Sequence, residues 1–147
     1  MRITAIVVML VASFAFVSCG KKEVKPPTPE SKTALEAFAL ADEIREAFMN
    51  KDLGTIRRGS TESGFQAVTA NTKGYESVDI TFTPRWVEIE QDKVTVNISW
   101  KTSWTAGGKE TEDRGMAVLV MEGRPLKLSG ILRTNPFVFP EQKYVRP

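Results

Sequence analysis

Two periodicities divide this chain. From residue 33 to 48, apolar side chains recur at helical spacing: Ala37, Leu40, Ala41, Ile44, Ala47 and Phe48 fall at i, i+3, i+4, i+7, i+10 and i+11. Thr33 followed by Glu36 has the form of a capping box, which predicts a helix start near Thr33. Asn50-Lys51-Asp52 closes that helix, and Asp52 is placed to cap a short second one through Leu53 and Ile56 to Arg57. Ser60 to Asn71 is ambiguous: Phe65 and Val68 suit the inner side of another short helix, while Gly59 and Gly64 count against one.

From Glu76 the period becomes two. Val78, Ile80 and Phe82 alternate with Asp79, Thr81 and Thr83; Pro84 interrupts, and the strand resumes from Trp86 to Glu90. Gln91-Asp92 turns the chain into Val94, Val96, Ile98 and Trp100, which alternate with Thr95, Asn97, Ser99 and Lys101. One face of that strand is apolar and the other polar. Ala106-Gly107-Gly108-Lys109 reads as a hairpin turn. Gly115 to Met121 is apolar on both faces, as a central strand is, and Glu122-Gly123-Arg124-Pro125 turns again. Leu126, Leu128, Gly130 and Leu132 are expected to face one way along the last strand, which Asn135-Pro136-Phe137 ends. Helices first and antiparallel strands after predict one α+β domain over residues 31–147, with N-terminal helices packed on a curved, cone-like antiparallel sheet.

The first thirty residues follow neither period. Met1-Arg2 precedes a nearly unbroken apolar run from Ile3 to Phe16, shorter than the roughly 20 residues a membrane-spanning helix needs and suited to a signal-peptide core. The run ends in Phe16-Val17-Ser18-Cys19-Gly20, which resembles the bacterial lipobox. The resemblance implies that residues 1–18 are a lipoprotein signal peptide and that Cys19 carries diacylglycerol and a further acyl chain such as palmitate. More than one chain anchors a protein stably to a membrane. Gly20 is not the Asp that such proteins use for inner-membrane retention, so a host with two membranes is expected to place the protein on the outer one, facing the periplasm. Residues 19–30 form a lipidated cysteine and a Pro/Lys-rich tether, too proline-rich and charged to bury a core.

Composition removes several kinds of chemistry. There is no histidine and one cysteine, so imidazole catalysis, internal disulfides and zinc sites built from histidine or several cysteines are excluded. A net charge of +2 without a clustered basic face argues against a nucleic-acid partner. No cofactor or metal site is expected.

The element order, the "AFMNKDLGTIRR" helix junction, the tryptophan-bearing "VTVNISWKTSW" strand and the closing "LKLSGILRTNPF" strand resemble the nuclear transport factor 2-like superfamily, the cystatin-like α+β cone. That resemblance implies a cone whose mouth takes small apolar molecules, with Phe65, Phe82, Trp86, Trp100 and Trp104 as lining candidates. For Trp100 and Phe82 alternation alone is a sufficient explanation, and it makes them core. The resemblance also implies pairing of two chains through the sheet, although Thr95, Asn97, Ser99 and Lys101 would make that interface wet. An isomerase-like enzyme of this kind needs a carboxylate base and a phenol or protonated acid in the cavity; Asp79, Glu88 and Tyr75 are the candidates, with Asp79 out of phase with the core. The expected function is therefore an envelope lipoprotein presenting a noncatalytic domain that binds a small apolar ligand or docks an envelope protein. The ligand version expects an enclosed cavity, and the docking version a filled cone with an exposed apolar patch around Trp104 or Phe137-Val138-Phe139.

Overall fold

The computed structural model describes residues 26–140. The expected signal peptide, Cys19 and most of the expected tether lie outside the described residues. The chain runs α1 (Pro29–Met49), α2 (Leu53–Arg58), α3 (Glu62–Thr69), β1 (Ser77–Glu90), β2 (Lys93–Ala106), β3 (Lys109–Glu122) and β4 (Lys127–Arg133). The four strands form one antiparallel sheet in the order β1-β2-β3-β4, and the helices cover its inner face. This is the α+β arrangement the two periodicities predict. No helix among the described residues is long and apolar enough to cross a membrane.

Helix α1 starts four residues earlier than the capping box suggests. Thr28 caps it, accepting a hydrogen bond from the Ser31 N–H at 3.2 Å, and Pro29 opens the first turn, where its missing N–H costs nothing. The last two residues assigned to the tether, Pro29 and Glu30, are therefore helical. Thr33 is buried inside the helix, and the Glu36 carboxylate accepts from the Leu126 N–H at 3.2 Å instead of closing a capping box. The predicted face is the observed one: Ala37, Leu40, Ala41, Ile44, Ala47 and Phe48 are all buried. Asp52 caps α2, and the Thr55 hydroxyl and backbone N–H that bond its carboxylate hold that carboxyl below its ordinary range. The ambiguous segment resolves into α3, with Val68 buried beneath it.

The sheet inner face carries Val78, Ile80, Val94, Val96, Ile98, Trp100, Trp104, Ala117, Leu119, Met121 and Leu128 into one core. The edge of β1 is secured by α1. There the Arg45 guanidinium donates to the Ile80 carbonyl at 3.0 Å, and the Ile80 N–H donates to the Met49 sulfur at 3.1 Å. A free strand edge is a template for unwanted pairing, and these contacts cover part of it. The β2–β3 hairpin turns through Gly107 and Gly108, whose φ values of 58° and 71° are those a two-residue loop of this hand requires.

Two strands depart from simple alternation. Pro84 pairs with Ile98 and Trp86 with Asn97, so Arg85 is an extra residue in β1. In β4, Leu128 pairs with Met121 and Gly130 with Val120, so Ser129 is an extra residue there. One inserted residue exchanges the faces of everything beyond it. Trp86, expected to line the cone, thus lies on the outer face, 46% exposed, and Leu132, expected to follow Leu128 inward, is 55% exposed.

Helix α3 crosses close to β4. The Thr61 N–H donates to the Leu128 carbonyl at 2.9 Å, and a Cβ built on Gly64 would lie 1.9 Å from that same oxygen. Gly64→Ala should therefore force backbone apart at this crossing and destabilise the domain by about 1–3 kcal/mol, read as a lower urea midpoint at unchanged slope.

Candidate functional site

Three places deserve chemical scrutiny: the interior of the cone, the groove beside α1, and the outer face of the sheet. One end of the interior is closed by aromatic rings. Trp104, fully buried, meets Tyr75 edge-on at 4.7 Å between ring centroids, Phe139 at 5.5 Å and Phe48 at 6.2 Å. Phe48 in turn meets Phe137 at 4.8 Å. Such pairs stabilise beyond the area they bury. The polar atoms are also satisfied: Trp104 Nε1 donates to Thr102 Oγ1 at 2.8 Å, and Trp100 Nε1 to the Thr134 carbonyl at 3.1 Å.

Phe137 and Phe139 reach this cluster from beyond β4, where the sequence suggested an exposed docking patch. That expectation is corrected: both rings and Trp104 are buried. The cause is Asn135. Its side-chain amide donates to the Ala67 carbonyl at 2.7 Å and its side-chain oxygen accepts from the Phe137 N–H at 2.9 Å, folding the segment back under α3. The alternation of Phe137 and Phe139 was the available signal, and only the position of α3 gives it meaning.

The remaining candidates scatter. Phe65 packs beneath the Arg57 guanidinium, 3.9 Å from its ring centroid. Phe82 is half-buried, contacts Phe137 at 6.0 Å and lines the groove beside α1. Trp100 is core. Asp79 and Glu88 are exposed on strand positions pointing away from the core, whereas Tyr75 packs with the aromatic cluster inside. A sheet therefore separates the two carboxylates from the phenol, and the three residues form no joint acid–base site. Burial holds the Tyr75 phenol above its ordinary value of 10.0 by disfavouring the phenolate.

The groove lies between the first half of α1 and the β1 side of the sheet. Its volume is about 420 Å³, and Leu35, Phe38, Phe82, Pro84, Val96 and Ile98 are among its walls. It is apolar but unenclosed. The outer face holds the third place: Trp86, Asn97, Val118 and Leu132 pair in one row across all four strands, with Met116 and Val120 flanking it. Among the described residues, no group of three or more His, Cys, Asp or Glu side chains is gathered to hold a metal.

A similar arrangement exists in a solved structure of a nuclear transport factor 2 (NTF2-like) superfamily protein from Salmonella enterica serovar Typhimurium LT2. The two align with a TM-score of 0.63 at 10% identity, over 73% of this chain and 93% of that one. The fold is nuclear transport factor 2-like. An NTF-2 like protein of unknown function from Shewanella oneidensis MR-1 aligns over 67% of this chain and 95% of its own, at 11% identity and a TM-score of 0.48. No protein-family model matches the sequence, and no curated protein is similar to it. At such identities the likeness concerns the NTF2-like fold and not its chemistry.

The aromatic cluster of this NTF2-like domain makes two expectations measurable. Phe137→Ala should leave a cavity costing about 3–5 kcal/mol, seen as a reduced urea midpoint. The raised Tyr75 value stabilises the fold fully below pH 10 and loses that contribution as pH rises through the folded-state value. The gap in melting temperature between the wild type and Tyr75→Phe should therefore shift in favour of the phenylalanine variant above pH 10.

Proposed function

We propose that this chain is a lipid-anchored, noncatalytic docking domain of the cell envelope, and that its docking face is the outer surface of the sheet, where a second copy binds. One observation carries the reading. Of the five large hydrophobic side chains exposed among the described residues, three, Trp86, Met116 and Leu132, lie on that face. Exposed apolar residues gathered on one face mark an interaction site, whereas scattered ones need no explanation.

The face suits its own copy. Asn97 sits in the central row, 5% exposed, and its side-chain amide has no hydrogen-bond partner among the described residues. In an isologous contact with the two-fold axis along that row, Asn97 would meet Asn97 of the other copy, donor to acceptor in both directions. The same axis sets Arg114 opposite Glu122 of the other copy, while Lys101 meets Lys93 with Glu90 and Glu122 on the strands beside it. Like charges directly opposite each other on neighbouring strands are unfavourable within one sheet, and Glu122 of the other copy relieves the Lys101–Arg114 pair through Arg114.

The noncatalytic part is supported by the aromatic closure of the cone, the absence of histidine and the separation of Tyr75 from Asp79 and Glu88. The anchor follows from the lipobox-like sequence ending at Cys19. Binding of a small apolar ligand is the second reading, favoured by the groove of about 420 Å³ that Phe82 lines.

Sedimentation equilibrium of the chain at roughly 100 μM, where even micromolar pairs are assembled, should give a dimer. Trp86→Ser with Leu132→Asp should weaken it at least tenfold without lowering the urea midpoint, because both side chains are exposed. A monomer at that concentration defeats the second-copy assignment. Cells fed labelled palmitate should label the wild-type protein in the membrane fraction and not Cys19→Ser. A reproducible adduct in the native mass spectrum of protein purified from its own host, lost on activation, would favour the ligand reading.

A further inference from the structure

A separate cavity of about 210 Å³ opens where α1 ends. Its walls are Phe48, Leu53, Ile56, Tyr75, Thr72 and Lys51. Phe48 and Tyr75 form its floor from the same rings that close the cone, and Leu53, at the start of α2, stands 51% exposed beside it. Three apolar side chains, a tyrosine ring with its phenol, a threonine hydroxyl and one cation make up this lining, and its one charge is positive.

Among the described residues the cation has no counter-charge. Lys51 Nζ donates to the Glu76 backbone carbonyl at 2.9 Å and lies 5.6 Å from the Tyr75 ring centroid. An ammonium carries three donors, so this carbonyl uses one. The two carboxylates nearest along the chain and across the loop are committed elsewhere. Asp52 is bonded to the Thr55 N–H at 3.0 Å and the Thr55 hydroxyl at 2.6 Å, and Glu76 Oε1 accepts from the Gly107 N–H at 2.9 Å. Among the described residues, no carboxylate makes an ion pair with Lys51. The backbone holds the lysine in place: its φ of 57° forms the α1–α2 corner, which the Asp52 N–H closes on the Ala47 carbonyl at 2.8 Å.

We infer that this cavity binds a small monocarboxylate with an apolar body, the carboxylate on Lys51 and the body against Phe48, Leu53, Ile56 and Tyr75. A charge-assisted hydrogen bond to the ammonium fixes one end of the ligand, and burial of the other end replaces water in an apolar pocket. The volume of about 210 Å³ has room for a benzoate or a six-carbon acid. The site is independent of the sheet-face reading, since no residue is shared between them.

Benzoate and hexanoate, with benzamide and hexanamide as uncharged counterparts, are the probes. Each is titrated into the ¹⁵N-labelled full-length chain held in phosphatidylcholine nanodiscs, and amide shifts are followed by NMR. The acids should shift Lys51, Thr72 and Tyr75 saturably, with an affinity at least about tenfold above that of the amides. Lys51→Gln should erase that difference while Lys51→Arg keeps it. Equal affinities of acid and amide for the wild type, shifts centred elsewhere, or no saturation would each overturn the site. The wild-type comparison stands even if a variant fails to fold.

Discussion

Everything in this domain depends on the contact between the apolar stripe of α1 and the concave side of a single sheet. A four-stranded sheet with one apolar face is not stable alone, and neither is an amphipathic helix in water. Ala37, Leu40, Ala41, Ile44 and Ala47 supply a mostly small-residue stripe that lets the sheet wrap closely, and Phe48 at its end begins the aromatic cluster. That cluster closes one end of the interior with rings, two of them delivered by the chain after the last strand.

The surfaces were re-aimed by two single-residue insertions. Arg85 in β1 and Ser129 in β4 each shift the strand beyond them by one position, and both shifts move an apolar residue outward. Without them Trp86 and Leu132 would extend the core, and the outer face would hold only Met116, Val118 and Val120 of β3 beside the polar positions Thr95, Asn97, Ser99 and Lys101. With them, that face gains apolar side chains at both edges, around a buried amide. Bulges recur where a strand must redirect a side chain, and here the redirected Trp86 and Leu132 stand at the two edges of the outer face. The corner at Lys51 is a different solution. A turn there points a cation over a small apolar hollow, while the neighbouring acids are held by Thr55 and Gly107.

The sequence by itself determined the element types and their order, because hydrophobic periods of 3.6 and 2 are local properties that burial on one face imposes. It placed the buried face of α1, the Gly107-Gly108 hairpin and the inward positions Val78, Ile80, Val94, Val96, Ile98 and Trp100. It also carried the exclusion of histidine chemistry and the lipobox-like end at Cys19, which need no fold. Only the tertiary structure decided which aromatic residues are core and which are surface. A bulge is one unpaired residue, invisible to a pattern of period two until the partner strand fixes the register, so the outward turns of Trp86 and Leu132 had no local signal. The burial of Phe137 and Phe139 depends on Asn135 reaching the Ala67 carbonyl, a contact across 68 positions. The Lys51 hollow likewise joins the end of α1 to the approach of β1, a meeting that exists only once the sheet has closed over the helix.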